Sequence, residues 1–202
     1  MGRPPRHTSD DLLDAAVRLV AAHGARAVTM SGLAREAGAP SGSVYHRFAD
    51  RPALLAALWL RTVRRFHDGY LAALAGEPPV EAAIAAVERG VRWCVRHPGE
   101  ALVLNAGRAA FDHSSWSAVD TAAAAHTDAE LRAALRTACR RLRQHTGRDT
   151  EELLLVLVDL PLAAIRRHLE AGKPVRENTV SAVVRAARLL LNAEGTDHDR
   201  GE

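Results

Sequence analysis

The chain has 202 residues, 48% of them hydrophobic, and a formal net charge of +3 at neutral pH. That length and apolar content are enough for a packed core and exclude a disordered chain. The charge is uneven: residues 1–70 carry ten arginines against six acids, whereas residues 71–202 carry 17 basic groups against 18 acids, so the front part is +4 and the remainder −1. A cationic front end favours a polyanionic partner at that end.

In chain order, the periodicity is helical wherever it is regular, with apolar residues recurring at i, i+3 and i+4 and no strand-length alternation. A first helix opens at Thr8 or Ser9, where Thr8 and Asp11 have capping-box spacing, and Gly24 closes it. Its apolar stripe holds Leu13, Ala16, Val17 and Val20. Thr29 caps a second, short helix bearing Leu33, Ala34 and Ala37, and Gly38 supplies the left-handed stop. Ala39-Pro40 turns the chain, and a third short helix starts at Ser41. Val44 and Phe48, four apart, share its inward face, which leaves Ser43, Tyr45, His46 and Arg47 to point elsewhere. Asp50 caps a fourth helix with Pro52 in its first turn and a stripe of Leu54, Leu55, Leu58 and Val63. After the break at Gly76–Pro79, helical segments are expected at about 80–97, 99–110, 127–145, 150–171 and 176–193, with a loop around Phe111 to Asp120. The fold class is therefore all-α, with about nine helices.

Helix, tight turn, second helix of about two turns is the helix-turn-helix unit, whose second helix enters the DNA major groove while the first braces it. Small residues suit that geometry. Ala34 and Ala37 let the two helices approach closely, and Ser41, Gly42 and Ser43 keep the leading end of the recognition helix thin enough to reach base edges.

The run from residue 12 to 61 resembles the DNA-binding domain of the TetR family of bacterial transcriptional regulators. AREAGAPSGSVYHRFADRPALL is similar to that family's turn, its small-residue recognition helix with a Tyr-x-x-Phe pair (Tyr45 and Phe48), and the start of its fourth helix (Asp50 and Arg51). Pro40 in the turn and Arg51 in place of the commoner lysine depart from the family pattern. The resemblance implies that Thr29, Tyr45, His46 and Arg51 hold phosphates, while Ser41, Gly42, Ser43 and Arg47 lie near bases. Arg3 and Arg6, on a proline-stiffened arm, are candidates for the minor groove.

The resemblance further implies two domains: residues 1–51, the arm with a three-helix helix-turn-helix domain, and residues 52–202, a helical domain for ligand binding and dimerisation. It implies a homodimeric repressor released from a palindromic double-stranded operator by a small-molecule effector. An activator of the same fold and a non-specific architectural DNA-binding protein are the alternatives, and the −1 charge of residues 71–202 argues against the latter. The dimer is expected through the last two long helices. Leu153, Val156, Leu157, Leu160 and Ala164 form one apolar face, and Val180, Val183, Val184, Ala187, Leu190 and Leu191 another. The same faces can also fill the protomer's own core. Trp93, His97, Asn105, Arg108, Phe111, Trp116 and Asp159 are the candidates for effector contact.

Other chemistry finds no support in the sequence. Cys94 and Cys139 stand far apart without a CxxC or nearby histidine, which argues against a disulfide scaffold or a metal site. No Gly-x-Ser-x-Gly, His-Glu-x-x-His or glycine-rich phosphate loop is present, so an enzyme, a catalytic residue and a cofactor are not expected. The N-terminal stretch lacks the apolar core of a signal peptide. The longest apolar run, Leu153 to Ile165, is broken by Asp159 and Pro161 and falls short of the ~20 residues that span a bilayer. A cytoplasmic protein with no membrane partner is the expectation.

Overall fold

The computed structural model describes residues 8–192, and every regular element among them is helical. The elements are α1 (Ser9–His23), α2 (Met30–Ala37), α3 (Ser41–Arg47), α4 (Arg51–Leu74), α5 (Pro79–Arg96), α6 (Pro98–Ala106), α7 (Ala118–Thr146), α8 (Thr150–Leu154), α9 (Leu160–Glu170) and α10 (Glu177–Asn192). A π-helical segment, Leu155–Asp159, joins α8 to α9, so the single helix expected over 150–171 is one continuous run with a wide turn in its middle. Counted that way, the described residues form nine helices.

The described residues pack into two compact units. The first unit runs up to Arg65 and resumes over His97–Asp128; the second comprises Phe66–Arg96 and the chain from Ala129 onward. The helix-turn-helix helices thus share a core with α6 and the start of α7. Helix α4 packs its first half there because Leu54, Leu55 and Leu58 are wholly buried, with Phe111 and Trp116 closing the same core. Rings of Trp59 and Phe111 lie 5.6 Å apart. Arg61 reaches Asp14 at 2.8 Å and Arg65 reaches the buried Glu100 at 3.1 Å, which ties α1 and α6 to α4.

The local signals act as read. Thr8 Oγ1 accepts the Asp11 N–H at 3.1 Å and the Asp11 carboxylate accepts the Thr8 N–H at 2.7 Å, a complete capping box. Asp50 accepts the Ala53 N–H at 2.8 Å and opens α4. Two boundaries differ from expectation. Helix α6 stops at Ala106 because Gly107 turns the chain at φ 74°, and two short 3₁₀ turns cover Arg108–Phe111 and His113–Ser115. Helix α7 starts at Ala118 rather than near residue 127: Ser117 accepts the Asp120 N–H at 3.1 Å as a cap, and the alanine run that follows needs no apolar stripe to be helical.

In the second unit, α10 lies along α5 with Val180, Val183, Ala187 and Leu191 buried. Leu153, Val156 and Leu157 are buried as well. These parts of the two apolar faces fill the protomer's own core. What the helices leave exposed is Leu155, Leu162 and Leu189, outside the two expected faces, together with Leu190, which belongs to the second of them.

Candidate nucleic-acid interface and ligand cavity

The turn between α2 and α3 is built by backbone chemistry. Gly38 adopts the left-handed conformation at φ 60°, and the N–H of Ala39 reaches back to the Ala34 carbonyl at 2.9 Å. Pro40 then extends the chain, and Ser43 N–H bonds the Pro40 carbonyl at 2.9 Å to start α3. A seven-residue helix does not persist alone in water, so packing must hold it. Val44, fully buried, and Phe48 provide that hold. The opposite side is bare: Ser41, Gly42 and His46 are exposed, Ser43 and Arg47 half-exposed, and Tyr45 is 58% exposed with no bond from its hydroxyl among the described residues. A Cβ on Gly42 would meet nothing within 4 Å, so its lack of a side chain serves no contact among the described residues.

The phosphate candidates are less uniform. Thr29 caps α2 by accepting the Gly32 N–H at 3.0 Å, which uses an acceptor lone pair of its hydroxyl and leaves the O–H as a donor. His46 stands free on α3 among the described residues. Arg51 donates from Nε to the Val28 carbonyl at 2.8 Å and from Nη1 to Asp112, which leaves Nη2. Arg47 Nη1 lies 3.4 Å from Ser9 Oγ. Arg3 and Arg6 lie outside the described residues. Arg26 and Arg35 were not singled out by sequence, yet both are exposed without an ion-pair partner among the described residues. Their sequence signal was faint because a lone arginine in a helical pattern is ordinary.

The seven effector candidates are divided between the two units. Phe111 and Trp116 are core residues of the first unit, where the Trp116 indole donates to the Phe111 carbonyl at 2.8 Å. Arg108 pairs with Asp128 at 2.6 Å, and His97 faces Glu100 at 3.3 Å. Asn105 is half-buried in the same unit. Trp93 belongs to the second unit and packs edge-on against Phe66, centroids 5.4 Å apart. None of the seven lines the apolar cavity that the second unit does contain. That cavity, about 260 Å³, lies among Phe66, Tyr70, Leu131, Leu157, Pro161 and Leu162, with further apolar neighbours. Asp159 lines another cavity of the same unit, about 420 Å³, together with Arg132 and Arg136. Sequence reasoning looked for polar anchors and aromatic rings and so passed over a pocket made of leucines and a proline.

Among the described residues no cluster of three or more histidine, cysteine or acidic side chains is placed to hold a metal ion. No helix among them is long and apolar enough to cross a membrane. Both cysteines are buried free thiols, and burial pushes the Cys94 thiol up to about 12.

Residues 12–58 match the family model for bacterial regulatory proteins of the tetR family. No curated protein matches the sequence. Among solved structures, a TetR family transcription regulator from Marinobacter aquaeolei VT8 is 19% identical, covering 90% of this chain and 94% of its own at a TM-score of 0.68. The fatty acid degradation regulator FadR from Bacillus halodurans is 19% identical, covering 98% and 100%, at 0.66. FadR from Bacillus subtilis, solved in complex with stearoyl-CoA, is 14% identical, covering 92% and 98%, at 0.68. At these identities the likeness is one of fold. The chain thus matches the tetR family over residues 12–58 and has the fold of solved TetR-family transcription regulators.

Proposed function

We propose that this TetR-fold chain is a ligand-responsive repressor that binds a palindromic DNA operator as a homodimer and leaves it when a small molecule occupies the second unit. The observation that carries the reading is α3, a short helix held by Val44 and Phe48 while Ser41, Gly42, Tyr45 and His46 are turned to solvent. Small residues at its leading end suit base edges, with Ser43 and Arg47 beside them. Tyr45, His46 and Thr29 flank these positions as contacts to the phosphate backbone, and Arg51 contributes its remaining nitrogen. A single unit of this size reads few bases, so two copies act on half-sites ~34–36 Å apart or a multiple of that. Leu155, Leu162, Leu189 and Leu190 are exposed on the last helices and support pairing of two chains there. The stearoyl-CoA complex of the Bacillus subtilis relative and the cavity of the second unit support control by a ligand.

The test is selection of bound sequences from random double-stranded DNA by the full chain, followed by footprinting. A single two-fold symmetric site is expected. Uniform protection with no enriched sequence overturns the reading in favour of non-specific binding.

A further inference from the structure

Two cavities of the second unit meet at one pair of side chains, and their chemistries are opposite. The first is apolar throughout, and its one hydroxyl is already occupied: Tyr70 Oη donates to the Leu157 carbonyl at 3.1 Å. Pro161 accounts for that bond. Lacking an N–H, it cannot serve the carbonyl four residues earlier, which is that of Leu157, and Tyr70 supplies the missing donor from α4. Nothing polar is left to greet a ligand there, and a charged group entering would lose its hydration without compensation. The second cavity is lined by Arg132, Arg136 and Asp159, a net charge of +1. Arg132 and Arg136 are four apart on α7 and so share a face, both are exposed, and neither has an ion-pair partner among the described residues. Leu135 and Val158 border both cavities.

We infer that the effector is a single-chain amphiphile with an anionic head, its hydrocarbon tail in the apolar cavity and its head on Arg132 and Arg136. A chain lying past Leu135 and Val158 satisfies both cavities at once: the tail gains apolar burial, and the head gains charge-assisted bonds from two guanidinium groups. A wholly apolar ligand leaves the arginine pair unused, and a compact polar ligand leaves the apolar cavity empty. The inference deepens the proposed function and rests on it for the consequence of binding, whereas occupancy itself is measured without DNA.

The test uses the full chain with dodecanoate and dodecanol, each below its aggregation concentration. Binding is followed by thermal shift and by tryptophan emission, since Trp93 packs against the cavity wall at Phe66. Dodecanoate is expected to bind at least tenfold more tightly than dodecanol. The double variant Arg132→Ala/Arg136→Ala brings dodecanoate to the dodecanol level and leaves dodecanol unchanged. Leu162→Trp, at the mouth of the apolar cavity, weakens both. Equal affinity for the two probes, full dodecanoate binding in the arginine variant, or no saturable binding of either probe overturns the inference. Operator binding by the ligand-free chain reports separately on the regulator reading. A chain that takes up dodecanoate but selects no DNA sequence supports the ligand class and overturns that reading, and selective DNA binding without dodecanoate uptake does the reverse.

Discussion

Arg51, the first residue of α4, is clamped by Asp112, and its Nε simultaneously holds the Val28 carbonyl at 2.8 Å. Asp112 is the one non-glycine residue with positive φ among the described residues, at 49°, so the clamp is held by a backbone conformation that aspartate tolerates and most residues do not. A residue nominated for phosphate contact therefore also fastens the end of the helix-turn-helix to the segment after α6. With both side chains partly exposed, the ion pair itself contributes only about 0.5–1 kcal/mol, and Asp112→Asn is expected to lower unfolding free energy by no more than that. Arg51→Met also leaves the Val28 carbonyl without its donor and costs about 1–2 kcal/mol more. Urea unfolding of the two variants checks the order; equal losses would mean that the Val28 bond contributes nothing.

Tyr45 separates a binding role from a structural one. Its side chain is 58% exposed and its hydroxyl has no partner among the described residues, so Tyr45→Ala leaves the melting temperature within about a degree. Affinity for every DNA sequence falls by a similar factor, because a backbone contact carries no base information. Ser43→Ala instead shifts preference at one base position by ~1–3 kcal/mol. Parallel competition binding on a site and its single-base variants distinguishes the two patterns.

Gly32 is required by the cap of α2. A Cβ there would sit 2.8 Å from Thr29 Oγ1 and 3.3 Å from the Ala27 carbonyl, so Gly32→Ala displaces the capping hydroxyl. The loss is about 1 kcal/mol, the value of such a cap. Because both substitutions remove one interaction, adding Thr29→Ala to Gly32→Ala costs clearly less than Thr29→Ala alone. Additive losses in chemical unfolding would sink this account.

Cys94 gives a pH signature. Burial raises its folded pKa from the ordinary 9.0 to about 12, so the neutral thiol is favoured in the folded chain. The stability linked to this group is complete below pH 9 and declines as pH rises from about 9 toward 12, where the unfolded chain ionises and the folded one does not. Burial also raises Tyr70, adding a decline that starts above the phenol's ordinary 10.0. Cys94→Ala shifts the whole curve down through its lost packing and lessens, without abolishing, the slope between pH 9 and 10, because burial raises the Cys139 thiol as well. Unfolding free energies measured across that interval test the slope.

Leu189 is 73% exposed on α10, with Leu190 beside it and Leu155 and Leu162 exposed on the preceding helical run. Replacing Leu189 by Glu introduces a charge where two chains are proposed to meet. Sedimentation at micromolar concentration is expected to show dimers for the native chain and mostly monomers for Leu189→Glu, with helicity unchanged. A native chain that sediments as a monomer would remove the dimer.

Much of the front of the molecule was legible because its signals act over four residues or fewer. Thr8 with Asp11, Thr29, Gly38 and Asp50 set helix ends through bonds to nearby backbone groups, and the Val44/Phe48 spacing alone fixed which side of α3 faces inward. The start of α7 escaped because its polar, alanine-rich first turns carry no stripe to read. Tertiary structure alone decided the rest. Phe66, Leu131, Leu157 and Pro161 are far apart in the chain and meet only because α4, α7 and the run through α9 pack together, so no local pattern marks the cavity they enclose. Phe111 and Trp116 look like ligand anchors in one dimension and are core in three. An apolar face announces burial in a sequence, but which partner buries it, another helix of the same chain, a second copy or a ligand, is set by how whole helices fit against one another.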